Sequence, residues 1–323
     1  MNVLVTGANG FIGSYVTRQF LDLGDTVTAF DFVDRDERIE SMFNSEIADG
    51  RLRFIQGNIR KPDDVRRVVQ ESGDGPIVHL VGILTTGCDK DPNLAIEVNF
   101  NGTRHVLDAA LAHGNRRVVF GSTISVHGRG LPQPITENMA TEPDGWYGLT
   151  KIMSEQMGLL YVRRHGLDFR AVRMAAVTGP GRSAASGSAS LYTSFIPEKA
   201  ALGEPYTIEV TPDTAYPVVY VKDAADALVR LARQQETPSR IYNISSGRLI
   251  TSELVEMVTK QIPGAQLTYQ PDPMVMAIVG GFKDWEIDCS LAERELGWRP
   301  KYEVAAMVDD IIGEAKKSKD SSS

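Results

Sequence analysis

The chain has 323 residues with 34 Lys and Arg against 42 Asp and Glu, a formal charge of -8, so it lacks the basic field that draws a protein to nucleic acid. At 42% hydrophobic and 24% charged residues it has ordinary globular composition and can bury the core of one large domain, or of one domain with a smaller lobe. Its longest apolar stretch, around MVMAIVGGF, falls far short of the ~20 residues that span a bilayer, and two cysteines, Cys88 and Cys289, make no disulfide framework.

From the first residues, short β-branched runs alternate with helical patterns. NVLVTG precedes FIGSYVTRQFLDLG, TVTAFD follows, LRFIQG precedes KPDDVRRVVQES, and PIVHLVG precedes PNLAIEVNFNGTRHVLDAALAHG, which reads as one helix, before RRVVFGS. Nearly all-apolar strands spaced by amphipathic helices predict a doubly wound parallel sheet, a Rossmann fold, because right-handed crossovers lay helices on both faces. A helix then begins near Trp146, and LDFRAVRMAAV supplies a sixth strand leading into the loop GPGRSAASGSAS. Shorter elements follow: a helix near 190–202, strands in YTIEV and PVVYV, helices at 222–235 and 251–262, a strand in QLTYQ and a last helix after Asp288. The expected division is a dinucleotide-binding domain over 1–175 that also takes part of 215–245, a smaller α/β substrate lobe over 176–315, and a polar, disordered tail over 316–323. The strand-like start MNVLVTG, with no cationic lead, gives the expectation of a cytoplasmic protein.

The first strand and helix are joined by Gly7, Gly10 and Gly13 in VLVTGANGFIGSYV. Glycine there permits a sharp turn, lets backbone N–H groups approach a pyrophosphate, and lets the helix pack close to the strand. Asp31 ends the second strand roughly 20 residues on, where a carboxylate accepts ribose hydroxyls. NAD is the cofactor expected, since Asp31 would repel a 2′-phosphate; Arg35 and Arg38 are the residues that would admit NADP. Further on, Tyr147 and Lys151 in GWYGLTK lie four apart and so share one helix face. A free phenol, with a pKa near ~10, is a poor base at neutral pH, and an adjacent ammonium shifts it toward the working range. Ser122, Thr123 and Ser125, at the end of the fifth strand, offer hydroxyls to fix a substrate oxygen.

With TGANGFIG, DF at 31–32, GNIRK, HLVG, NFNGT, GSTISVHG, YGLTK and GPG in this order, the chain resembles the extended short-chain dehydrogenase/reductase family of epimerase/dehydratase type over almost its whole length. The resemblance implies that Tyr147 is the catalytic acid/base, that Lys151 binds the nicotinamide ribose and lowers the Tyr147 pKa, and that Thr123 touches the substrate oxygen. It also implies cofactor contacts from Phe11, Ile12, Asn58 (in place of the usual Asp), Ile59, Leu80, Val81, Gly82 and Asn99, and a homodimer through the helices bearing Asn99 and Tyr147.

Departures from that pattern narrow the substrate. The usual RYFN reads RMAA, and Tyr216 stands where an arginine grips a nucleotide diphosphate. Ile124 and Ser125 replace the Asp-Glu of the dehydratases. The chain is more similar in this region to small-substrate members such as the short-chain L-threonine 3-dehydrogenases and D-erythronate dehydrogenases. The expectation is an NAD-dependent oxidoreductase of a small hydroxylated substrate, such as a hydroxy acid, a sugar or an amino alcohol acid; the alternatives are a nucleotide-sugar 4-epimerase with tightly held NAD and a non-catalytic cofactor sensor. Thr85, Thr86, Arg182 and Trp285 sit on loops expected to border the pocket, and a carboxylate-bearing substrate would want Arg182. His79 reads as a core histidine, His127 as a possible pocket neighbour and Cys88 as a bystander thiol. No ligand spacing suggests a metal.

Overall fold

The structure is a computed structural model and describes residues 1–35, 37–114 and 116–321. In chain order it runs β1 (Asn2–Thr6), α1 (Phe11–Asp22), β2 (Thr26–Asp31), α2 (Glu37–Ala48), β3 (Leu52–Gln56), α3 (Pro62–Glu71), β4 (Ile77–His79), α4 (Thr85–Lys90), α5 (Pro92–Ala95), a π turn (Ile96–Asn101), α6 (Gly102–Ala112) and β5 (Val118–Thr123). Then come α7 (Trp146–His165), β6 (Phe169–Met174), β7 (Ala176–Thr178), α8 (Tyr192–Leu202), β8 (Tyr206–Ile208), β9 (Ala215–Tyr220), α9 (Val221–Arg233), β10 (Ile241–Ile244) and β11 (Gly247–Ile250). The chain closes with α10 (Thr251–Gln261), β12 (Leu267–Tyr269), α11 (Pro273–Val279), α12 (Ser290–Leu296) and α13 (Val304–Ser321).

Seven strands form one parallel sheet in the order β10-β6-β5-β4-β1-β2-β3. The apolar runs predict this, since Val3, Leu4 and Val5 of β1 are fully buried and every residue of β5 and β6 is buried, as a sheet covered on both faces requires. One face packs α1 and α9 through Val16, Phe20 and Leu228; the other packs α3 and α6 through Val68 and Val106. Strand order reverses between β1 and β4, and at such a switch point the carboxyl ends of the strands open a crevice for ligand. Among the described residues no helix is long and apolar enough to cross a membrane.

A second core gathers α8, α10 and α13 around β9 through Tyr192, Ile196, Leu254 and Ile311. Small sheets β11-β9-β7 and β12-β8 complete this side. Here the structure adds what the sequence reading lacks. The sixth strand is split: β6 stays in the large sheet while β7 pairs with β9. The seventh strand is β10, a four-residue run interrupted by Asn243. The single helix expected over 92–114 is α5, the π turn and α6. The tail expected to be disordered from 316 continues α13 to Ser321, because Met307, Val308, Ile311, Ile312 and Ala315 form a buried stripe and Lys319 Nζ donates to Leu202 O at 2.9 Å; the last two residues of that expectation lie outside the described residues.

Candidate active site

At the carboxyl ends of β1, β4, β5 and β6 lies a cavity of about 320 Å³, bounded by the glycine loop, the first turn of α7, the 182–190 loop and Tyr216. Gly7 has φ +75, and a Cβ there would stand 3.0 Å from Val81 N; a Cβ on Gly13 would stand 2.0 Å from Gly7 O. The loop is thus wedged between the end of β4 and the start of α1. Gly10 caps α1 with no side-chain hydrogen bond, and no acidic residue occupies the first turn, so the orphan N–H groups of the helix face the cavity beside Phe11 and Ile12, as at anion sites. This cradle, which any Cβ would fill, fits the pyrophosphate of a dinucleotide. Across it, Asp31 accepts hydrogen bonds from Asn9 N (3.0 Å) and Phe32 N (2.8 Å); burial raises its pKa against the pull of those amides. Arg38 donates to Asn9 O at 2.8 Å and Arg35 pairs with Glu40 at 2.8 Å.

Thr123, Tyr147 and Lys151 all line the cavity. Strand β5 ends in Thr123, which caps the next turn by accepting from Ser125 N at 3.1 Å. The start of α7 at Trp146 brings Tyr147 to the same cavity as Thr123. Burial pushes the Tyr147 phenol above its ordinary value, the Cys88 thiol adds to this, and Thr123 pulls it back. Lys151 is 3% exposed; its ammonium donates to Gly121 O at 2.8 Å, sits 4.6 Å over the Phe120 ring and 5.9 Å from the Tyr147 ring centroid. Burial lowers its pKa to about 8, while Cys88 and Glu155 hold it up.

The wall opposite α7 carries Arg182, which donates to Ser190 O (2.9 Å) and Ser188 Oγ (2.6 Å) and lies 5.5 Å over the Phe11 ring. Burial lowers its pKa to about 10. Thr85 and Thr86 both donate to Gly187 O (3.2 and 2.9 Å) and so clasp the 182–190 loop; Thr85 borders the cavity and Thr86 does not.

Leu80, Gly82 and Ser125 border the cavity as well. Ser122 does too, but its hydroxyl donates to buried Glu155 and is not open to a substrate. Several other expected residues, Asp31 among them, do not border this cavity. Asn99 is 1% exposed, bonding Ile83 N (2.7 Å), Ile83 O (3.0 Å) and Thr150 (3.0 Å), so it shapes the loop after β4. Asn58 accepts from Arg60 N at 3.0 Å, Ile59 packs under Gly102, and neither they nor Val81 border the cavity. Trp285 belongs to the core against Phe282, ring centroids 4.6 Å apart. His127 is 2% exposed and turns to Ala140 O (2.8 Å) and Arg173 (3.3 Å), away from the pocket. Cys88 is buried, donates to Ile83 O at 3.2 Å and is pushed up to about 11, an unreactive thiol.

Sequence reasoning missed the buried pair of Glu155 (0% exposed) and Arg173 (2% exposed) at 2.7 Å, which ties α7 to β6 beside Lys151. The available signal was an acidic residue one helical turn after Lys151 and an arginine within an apolar strand. Among the described residues no cluster of His, Cys, Asp and Glu could hold a metal.

The profile of the NAD dependent epimerase/dehydratase family matches residues 3–245. The mitochondrial L-threonine 3-dehydrogenase of Bos taurus is 29% identical over 262 residues, 80% of this chain and 69% of the relative. A solved partial-consensus L-threonine 3-dehydrogenase superposes with a TM-score of 0.88 at 27% identity, covering 98% of this chain and 100% of the other. A GalE-like L-threonine dehydrogenase of Cupriavidus necator, in its holo form, gives 0.85 at 28% identity, covering 97% and 99%. A glycine cradle at the sheet's switch point, a tyrosine and lysine on the adjoining helix and a match over three quarters of the sequence lead to one assignment: the chain belongs to the NAD-dependent epimerase/dehydratase family, whose members are dehydrogenases and epimerases of the extended short-chain dehydrogenase/reductase type.

Proposed function

We propose that this protein is an NAD-dependent dehydrogenase interconverting a small secondary alcohol and its ketone, with Tyr147 as acid/base. The observation that carries the reading is the meeting of Thr123, Tyr147, Lys151 and the uncapped start of α1 on one cavity. The glycine loop would hold NAD, which when bound would supply the hydride acceptor and a positive charge. Asp31 takes the adenosine ribose, residues 1–175 with part of 215–245 hold the cofactor, and loops of 176–315 face the substrate. The Thr123 hydroxyl fixes the reacting oxygen. Tyr147 removes the hydroxyl proton as the hydride leaves, so the alcohol loses two electrons and two hydrogens and becomes a ketone. Because burial and the Cys88 thiol raise the phenol, it needs neighbouring cations to ionise; Lys151, still protonated at neutral pH with a pKa of about 8, is one. About 320 Å³ is at the small end of ligand pockets, and the nicotinamide shares it. Tyr216 offers no charge to grip the diphosphate of a sugar nucleotide, which favours a small substrate.

The test is NADH formation from a panel of hydroxy acids, aldonates, sugars and L-threonine with NAD at alkaline pH. Tyr147→Phe should lower kcat by a factor of roughly 10²–10⁴ while leaving NADH affinity nearly intact. No NADH from any candidate while a sugar nucleotide is epimerised would reject the reading. Exposed Trp146, Leu149 and Leu160 form a stripe on α7, which supports a homodimer through that helix; sedimentation of the purified protein checks it. Both cysteines are free thiols, which suits a reducing compartment such as the cytoplasm.

A further inference from the structure

Two cations, Lys151 and Arg182, border the cavity, and none of its described lining residues is Asp or Glu. Lys151 lies near the reacting oxygen and is accounted for by the chemistry above. Arg182 is not. Every hydrogen bond it makes among the described residues goes to a neutral oxygen of Ser188 or Ser190, and no carboxylate lies within ion-pairing distance. A half-buried guanidinium that borders a cavity on a loop without a counter-ion is a ready partner for an anion. The rest of this wall is hydroxyl: Ser186 Oγ is buried with no partner, and Thr85, Ser188 and Tyr216 face the same space.

We propose that the substrate is a hydroxy acid that carries no ammonium group, its carboxylate paired with Arg182 and its further hydroxyls bonded to the serine-rich wall. The inference rests on the dehydrogenase reading and sharpens it. An α-ammonium beside the carboxylate would face Arg182 and Lys151, with no carboxylate among the described lining residues to receive it. Nearby carbonyls are already engaged: Gly187 O accepts from Thr85, Thr86 and the Thr86 amide, Gly121 O from Lys151, and Ser190 O from Arg182. A neutral hydroxyl in that place can donate to or accept from Ser186, whose Oγ otherwise stays unsatisfied.

A matched pair of ligands tests this, 2,3-dihydroxybutanoate and threonine, each as its full set of stereoisomers, since they differ only in hydroxyl against ammonium. Both are titrated at neutral pH into the enzyme–NADH complex, followed by NADH fluorescence, so the outcome does not depend on turnover. The best dihydroxy isomer should bind roughly tenfold or more tighter than the best threonine isomer, and the gap should narrow at alkaline pH as the threonine amine loses its proton. Arg182→Met should abolish the preference. Equal or tighter binding of threonine, binding of neither acid, or a preference that survives in folded Arg182→Met would overturn the proposal; if that variant does not fold, the wild-type comparison decides alone. Turnover with NAD, measured separately, tests the dehydrogenase reading, so a selective binder without turnover and a dehydrogenase without selectivity are told apart.

Discussion

Replacing Glu155 by alanine removes the carboxylate that neutralises Arg173 in the core beneath the active site. Arg173 Nε lies 3.0 and 3.2 Å from the two carboxylate oxygens and Nη2 lies 2.7 Å from one of them; Ser122 donates to the same carboxylate. With Glu155 gone, the guanidinium keeps only Glu137 O at 3.0 Å and the His127 ring at 3.3 Å. Both members of the pair are buried, so breaking it should cost about 3–5 kcal/mol, a large share of the ~5–15 kcal/mol that holds a typical domain. Arg173→Met relieves the stranded charge, so Glu155→Ala with Arg173→Met should be more stable than the sum of the single losses implies, with a coupling of about 2 kcal/mol. Urea unfolding of the four proteins, read by Trp fluorescence, gives that coupling. Additivity within about 0.5 kcal/mol would refute the claim that the two charges depend on each other.

Gly13→Ala places a methyl 2.0 Å from Gly7 O and 2.8 Å from Ala8 Cα, both backbone, so the loop and α1 must part by more than 1 Å to restore ordinary contact. NADH affinity, followed by fluorescence titration, should fall roughly 100-fold; an unchanged affinity would show that the cradle is not where the pyrophosphate rests. His79 is buried between Thr6 Oγ1 (2.7 Å) and Thr103 Oγ1 (3.1 Å), and burial pushes its pKa from 6.5 down to about 3. Between those pH values the unfolded chain binds a proton that the folded chain refuses, so acidification through this window should cost stability, by at most about 5 kcal/mol. His79→Gln should flatten that part of the stability–pH curve, and an identical slope in both proteins would argue against a neutral buried imidazole.

The geometry of the glycine turn and of the Tyr147–Lys151 pair was legible in sequence because its determinants are local. Three glycines within one strand-to-helix turn, Asp31 at the next strand end and a tyrosine one helical turn before a lysine each need only a few consecutive residues to state their geometry, and the strand and helix periods place them. Tertiary pairing has no such signature. Arg170 and Arg173 sit within an apolar strand, yet each is buried only because a distant or neighbouring carboxylate, Glu155 for one and Asp168 for the other, comes within about 3 Å in the fold. The family resemblance implies a cofactor contact for Asn99, and only the fold shows that the π turn carries its amide to the backbone of Ile83. Trp285, on a segment rich in turns, reads as a pocket residue and is instead drawn into the core by Phe282 and His127. Tyr216 marks where legibility stops: the sequence identifies it as the loss of a diphosphate anchor, and the fold alone reveals that the same ring walls the cavity shared by Tyr147 and Arg182. A substitution can announce what a site no longer binds, whereas what it binds instead depends on charges such as Arg182 whose partners, or lack of them, exist only after the chain has folded.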